Sequence, residues 1–451
     1  MALKGLDIFK LTPKTNCKDC GNPTCMAFAM KVAQGALSID KCPHMSQDAL
    51  KTLGEASEPP MKLIKIGAGE AEHSLGGETV LFRHEKTFVS KTLFGVNISS
   101  AAGDADADAD ADAIINRVKN IDYERIGERM RVELLNVEFA GDKNAYCELV
   151  QKALKAGRTL ILEVKDPAAA EAALEIAKDN KPVLNGADES NYQAMSALAV
   201  RYGVTLAVSG KTLDNISDTV AAIEELGNKN LIIDVGTDSV KEAFARAVQI
   251  RRAALKDGVR TFGYPALINA GKLAPNNANM QTALAALFTV KYGSIVLLSG
   301  MTYAQALPLF GLRQNIFTDP QKPMKVEPGI YPLNGADENS VCATTVDFAL
   351  TYFIVSGEME RSGVPVNLLI SDAGGYSVLT AWAAGKLSAR SIARFIKENN
   401  IEQKIKNRCL VIPGKVAVLK GELEDNLPGW KVIVAPNEAV GLVKFFKELK
   451  V

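Results

Sequence analysis

The sequence predicts an α/β protein in three parts: a small cysteine-rich N-terminal domain over 1–60, a central (β/α)8 TIM barrel over 61–322, and a C-terminal Rossmann-like α/β domain over 323–451. Three observations carry this. Four of the seven cysteines lie within the first 42 residues. Eight short apolar runs, each followed by a helical pattern, succeed one another between Met61 and Gln321. Pro323, Pro328 and Pro332, with Gly329 and Gly335, then interrupt the pattern and read as a linker before a second alternation begins.

The N-terminal cysteines Cys17, Cys20, Cys25 and Cys42 form C-x2-C-x4-C followed by a distant C-P. An iron-sulfur cluster needs thiolates converging from several directions, which a tight turn plus one remote cysteine supplies. Gly21, Asn22 and Pro23 relax the backbone of the turn, and Met26 to Ala36 reads as a short amphipathic helix that returns the chain to Cys42. Zinc is the weaker alternative, because structural zinc sites more often pair two C-x2-C knuckles and only one is present. Disulfides fit worse. Met1 to Leu11 mixes polar and apolar residues and does not resemble a secretory signal, and seven cysteines in 451 residues are too few for a disulfide scaffold. Cys147, Cys342 and Cys409 read as buried bystanders.

Composition narrows the remaining classes. Fifty-two basic and fifty-two acidic residues balance, and no basic stripe of the kind nucleic acid requires is present. No apolar run reaches membrane-span length, so a cytoplasmic protein is expected.

The barrel strands are predicted at Phe94–Ser99, Leu135–Ala140, Leu160–Lys165, Pro182–Gly186, Thr205–Ser209, Leu231–Val235, Thr261–Tyr264 and Ser294–Ser299. Their near-continuous apolar character is that of parallel strands covered on both faces, with a doubly wound open sheet as the runner-up. Glu163, Asp166, Asn185, Asp188, Ser209, Asp234, Asp238, Asn269 and Ser299 fall at the strand ends, and most read as ordinary helix caps. The Asp-Ala alternation from Asp104 to Asp112 reads as an exposed acidic loop or frayed helix without a chemical role.

In the C-terminal part the reading is helix over Thr344–Met359, strand over Val366–Ser371, helices over Ser377–Ala384 and Ala389–Glu398, strand over Leu410–Ile412, helix over Gly414–Glu424, strand over Trp430–Val434 and a closing helix over Ala439–Leu449. A parallel sheet of this kind binds ligands beyond the carboxyl ends of its strands. Two such ends stand out, Ser371-Asp-Ala-Gly-Gly-Tyr-Ser377 and Ala435-Pro-Asn437, and Thr344 and Thr345 are placed at the start of the first helix with Thr351 nearly two turns along.

The order of these parts resembles the large subunit of the corrinoid iron-sulfur protein of the acetyl-CoA pathway. The resemblance spans the chain and is most specific from Leu6-Asp-Ile-Phe-Lys-Leu-Thr-Pro-Lys-Thr-Asn-Cys17 through Cys42-Pro43, with Thr345 through Thr351 and Leu379-Thr-Ala-Trp-Ala-Ala-Gly385 also similar. It implies a [4Fe-4S] cluster on Cys17, Cys20, Cys25 and Cys42, and a corrinoid-binding C-terminal domain in which Thr345, Thr351, Gly374, Gly375, Tyr376, Ser377, Val378 and Ala435 touch the cofactor. It implies a methyl carrier with no catalytic residue of its own. Cobalt would receive a methyl group from methyltetrahydrofolate through a methyltransferase and deliver it to acetyl-CoA synthase, while the cluster returns oxidised cobalt to Co(I). A small corrinoid iron-sulfur protein subunit would complete a heterodimer. The chain's histidines are His44, His73 and His84, so none in the C-terminal domain can ligate cobalt, and a base-off corrinoid is expected. The competing readings are a self-contained barrel methyltransferase acting on a folate-like substrate at a rim that contains Asp234, Asn269 and Ser299, with the cluster as electron inlet, and an electron-transfer adaptor without corrinoid.

Overall fold

A computed structural model describes residues 5–33, 37, 39–46, 49–50, 59–99, 105–319 and 323–449. The chain divides into two compact units, Met1–Tyr123 with Arg129–Phe317, and Glu124–Glu128 with Thr318–Val451.

The first unit is dominated by a closed barrel. A hairpin, β1 (Leu63–Ile66) and β2 (His73–Gly76), precedes the first barrel strand, β3 (Leu93–Ser99). A second hairpin, β4 (Asp122–Arg125) and β5 (Glu128–Arg131), follows it. The other barrel strands are β6 (Leu134–Glu138), β7 (Thr159–Glu163), β8 (Val183–Ala187), β9 (Thr205–Val208), β10 (Leu231–Asp234), β11 (Ala266–Asn269) and β12 (Gly293–Leu298). They pair in parallel in the order β3-β6-β7-β8-β9-β10-β11-β12 and close back on β3. The predicted parallel barrel is therefore observed, and the open sheet is excluded. Buried Val, Ile and Leu fill both faces of the strands, as burial under an outer ring of helices demands. The β1–β2 hairpin lies at the amino ends of the strands, where Thr159 donates to Ala71 O and Thr205 to Lys65 O. The opposite, carboxyl rim is left to the loops.

One sequence expectation fails in the barrel, and one that left two alternatives open is narrowed. The seventh strand is Ala266–Asn269 and not Thr261–Tyr264. Arg260–Phe262 forms a single 3-10 turn, so its β-branched and aromatic residues reflect packing and not pairing. The acidic alternation is helical from Ala105, within a helix running to Asn120. Alanine at every second position supports a helix that mutual carboxylate repulsion opposes. Asp104 and the side chains of 105–110 lie outside the described residues. Asp112, farther along, sits 4.0 Å from Lys152.

The second unit holds a five-stranded sheet made of β13 (Gly329–Leu333), β14 (Val341–Val346), β15 (Val366–Ser371), β16 (Cys409–Ile412) and β17 (Lys431–Val434), in the order β13-β15-β14-β16-β17. All neighbours are parallel except the edge strand β13, which runs antiparallel to β15. The predicted linker thus contains a strand, and Pro332 is tolerated because it lies on an edge. The predicted helix over Thr344–Met359 begins only at Ala349. Val341-Cys-Ala-Thr-Thr-Val346 is instead fully buried β14, which the β-branched ends of that run favour. Cys342 and Cys409 are buried, and burial pushes the Cys342 thiol up to about 12. No helix among the described residues is long and apolar enough to cross a membrane.

Candidate functional site

The cysteine segment is folded by two short helices, Gly5–Leu11 and Cys25–Ala33, around a minimal core of Ile8, Phe28 and Ala29. Between them the backbone turns back repeatedly. Lys14, Asn16 and Lys18 adopt φ of 58°, 48° and 70°, and Gly21 follows at 74°. Such left-handed steps are costly for side chains other than glycine and persist where the surroundings over-determine them. Two hydrogen bonds do this here: Cys25 N–H donates to Asn16 Oδ1 at 2.8 Å, and Asn22 Nδ2 donates to Cys20 O at 3.0 Å while lying 3.7 Å from Cys20 Sγ. A single 3-10 turn, Ile39–Lys41, brings Cys42 back.

All four predicted cysteines line one small cavity, together with Thr12, Asn22 and Phe28. Cys25 and Cys42 are buried, Cys20 is half-buried and Cys17 is exposed. Four soft sulfur donors facing a shared void, with an amide positioned near one sulfur, fit an iron-sulfur cluster. His44 lies beside this site, 2.6 Å from Asp19 Oδ2 and grouped with Asp19 and Cys17, and its hydrogen bond, followed by one from Cys17, holds the Asp19 carboxyl below its usual range.

In the second unit the connection from β14 leads to β15 on one side, whereas β16 lies on the other. That reversal opens a crevice at the carboxyl ends. A cavity of about 280 Å³ occupies it. Of the eight residues named from sequence, Thr345, Thr351, Ser377, Val378 and Ala435 line this cavity. Gly414 closes one wall, since a Cβ there would stand 2.4 Å from Ala435 O. Two features suit an incoming polar ligand. The Thr344 and Thr345 hydroxyls are buried at the cavity wall and have no hydrogen-bond partner among the described residues, and the Ser371 hydroxyl at the end of β15 is in the same state. Buried unpartnered hydroxyls are destabilising unless a bound group completes them.

Gly374, Gly375 and Tyr376 do not line the cavity. The glycines take φ of 70° and 76°, and their loop wraps a carboxylate of the protein itself: Ala373 N–H and Gly375 N–H both donate to Asp347 Oδ1 at 3.0 Å, and Gly374 N–H donates to Asp372. Asp347 is fully buried, with Lys325 Nζ at 3.6 Å. Tyr376 lies beneath Lys386, whose Nζ is 4.6 Å from the ring centre. The sequence reading overlooked Ile412-Pro413-Gly414, which also lines the cavity. The Pro-Gly pair directly after a buried strand was the available signal.

A family model described as CO dehydrogenase/acetyl-CoA synthase delta subunit matches residues 63–446. A second, an Fe-S cluster model, matches residues 13–44 and so takes in all four cysteines. The corrinoid/iron-sulfur protein large subunit of Moorella thermoacetica is 39% identical over 447 residues, covering 99% of this chain and 98% of that protein. This chain belongs to the corrinoid/iron-sulfur protein large subunit family. The same family includes the acetyl-CoA decarbonylase/synthase complex subunit gamma of Methanothermobacter thermautotrophicus, 32% identical with 100% of this chain and 99% of that one covered. Family membership bears out the resemblance read from the cysteine segment and the order of parts. Dihydropteroate synthase from Thermus thermophilus superposes on 57% of this chain and all of its own at 14% identity, with a TM-score of 0.39, too low for any inference.

Proposed function

We propose that this chain is a methyl-carrying subunit of the acetyl-CoA pathway, holding a [4Fe-4S] cluster on Cys17, Cys20, Cys25 and Cys42 and a base-off corrinoid in the C-terminal domain. When bound, the corrinoid supplies a cobalt centre that takes a methyl group from methyltetrahydrofolate through a methyltransferase and yields it to acetyl-CoA synthase, and the cluster supplies the electron that rescues oxidised cobalt.

The observation that carries this reading is the switch-point cavity with its unpartnered threonine hydroxyls. At about 280 Å³ it is too small for a whole corrinoid but admits the cofactor's nucleotide tail. Thr344 and Thr345 would donate to that tail, Gly414 lets the backbone approach it, and Val378 and Ala435 pack against its apolar surface. The macrocycle would be held outside it, against Ile354 and Leu379, which line the cavity and are 49% and 45% exposed, with Trp382, three residues beyond Leu379, 42% exposed. A small partner subunit covering the same face would remove this surface from water. Gly374, Gly375 and Tyr376 act indirectly, by fixing the loop that leads to Ser377 and Val378.

The chain's three histidines all precede residue 85, so the domain offers cobalt no imidazole. Omitting a ligand is itself a way to tune a metal, because a weakly ligated Co(II) is easier to reduce. Anaerobically isolated protein should contain iron and cobalt together. Its Co(II) electron spin resonance spectrum should lack nitrogen superhyperfine splitting from an axial ligand. Zinc in place of iron, or clear nitrogen splitting, would overturn the assignment.

A further inference from the structure

Within the second unit a short strap, Pro323–Val326, touches two of the segments that line the cofactor cavity without lining it itself. It pairs antiparallel with the residues that follow β14: Val326 N–H donates to Asp347 O at 2.8 Å, Ala349 N–H donates to Met324 O at 3.0 Å, and Lys325 bridges Phe348. Ala349 opens the helix Ala349–Ser362, from which Thr351 and Ile354 reach the cavity. The strap also packs on the glycine loop that follows β15. A Cβ on Gly375 would stand 3.0 Å from Lys325 Cγ and 3.1 Å from Pro323 Cβ, so a side chain there would press the strap away. Ser377 and Val378, which come directly after this loop, line the cavity.

Asp347 ties these contacts together through its side chain. Its carboxylate is fully buried. Oδ1 accepts from Ala373 N–H and Gly375 N–H, and Oδ2 accepts from Gly375 N–H at 3.2 Å. Burying a carboxylate is costly unless hydrogen bonds and a counter-charge accompany it. The counter-charge comes from the strap: Lys325 Nζ lies 3.6 Å from Asp347 Oδ2 and 3.6 Å from Asp372 Oδ1 at the base of the same loop. Two carboxylates thus share one lysine. Lifting the strap would leave Asp347 its loop hydrogen bonds, but take away the cation and the backbone pairing that hold Asp347 and Ala349 in place. The loop and the first turn of the helix would loosen together, because one short segment fastens both.

We propose that Lys325 and Asp347 are positioning residues for the cofactor: with the strap seated, they fix the glycine loop and the helix start in the form that grips the corrinoid, so that strap seating and cofactor binding strengthen each other. This coupling rests on the corrinoid reading given above and adds to it a pair of residues outside the cavity. Linkage requires the effect to be reciprocal. A strap that tightens the grip must itself be held more firmly once the cavity is filled.

The test combines an anaerobic titration of the cobalt-free full chain with cobalamin and hydrogen exchange before and after. In the unaltered chain, cobalamin should slow exchange of the Val326 amide, which belongs to the strap and not to the cavity lining. Lys325→Met keeps the aliphatic packing on Gly375 and removes the charge, and should weaken cobalamin binding roughly threefold, with Lys325→Arg restoring it. In an Asp347→Asn background the same Lys325→Met change should cost nothing further, since its partner charge is already gone. The exchange measurement uses the unaltered chain and so stands even if the Asp347 variant misfolds. Unchanged exchange at Val326 on cobalamin binding, full affinity in Lys325→Met, or a loss that persists in the Asp347→Asn background would each overturn the coupling while leaving the corrinoid assignment intact. An unaltered chain that takes up no cobalamin would instead overturn the corrinoid reading, and the coupling with it.

Discussion

At the residue scale, the unusual feature is a pair of threonines kept without partners in a buried wall. Thr345 is 1% exposed and its hydroxyl has no partner among the described residues. Replacing it with valine keeps the shape and removes the unsatisfied group. Thr345→Val should therefore leave the cobalt-free chain as stable or up to about 1 kcal/mol more stable, while lowering corrinoid affinity roughly tenfold. Thermal melting of cobalt-free protein and a cobamide titration read the two effects separately, and unchanged affinity would remove Thr345 from the site. The threonines could be picked out from sequence. Their lack of partners could not, because it depends on the neighbours that β15 and β16 bring in.

At the element scale, the turns after the barrel strands behave as sequence chemistry demands. Asp166, followed by Pro167 at the first helical position, caps the helix Pro167–Ala177 through Ala168 N–H. Asp188, after β8, is different: burial raises its pKa, but hydrogen bonds from Lys165 and Ser190 outweigh that and hold it at about 2. A carboxyl with a folded pKa below its unfolded value contributes stability above the unfolded value, and that contribution is lost as pH falls through the folded one. Asp188→Asn should therefore destabilise the protein at pH 5 and above, and the deficit should shrink between about pH 4 and pH 2. Denaturant midpoints across that range decide it, and a deficit independent of pH would refute it. The element that sequence misplaced most, Thr344–Val346, failed for a related reason. A buried strand running into a helix shows one continuous apolar pattern, and only pairing with β15 and β16 separates them.

At the scale of the whole molecule, stability is distributed unevenly. The barrel has a core drawn from every strand, whereas the cysteine segment rests on Ile8, Phe28, Ala29 and a few neighbours. So small a core rarely holds a fold without a staple, and metal binding to such a segment amounts to folding energy. Removing iron by chelation should unfold the region around residues 5–46 and leave the barrel intact. Hydrogen exchange would show this as protection lost in the N-terminal peptides only. Protection retained there without iron would mean that the helices Gly5–Leu11 and Cys25–Ala33 hold the thiolates in place unaided.

The sequence by itself determined the class of the protein: the cysteine spacing, the eight repeated units and the histidine-free C-terminal part are local or countable properties that survive without coordinates. The tertiary structure decided what the polar residues do. Asn185, Asp234 and Asn269 look like caps in one dimension and become one layer only when the barrel closes, and Gly375 serves an internal carboxylate that lies 28 residues earlier in the chain. Whether a donor or acceptor is satisfied depends on groups far away in sequence, so no local pattern could report it.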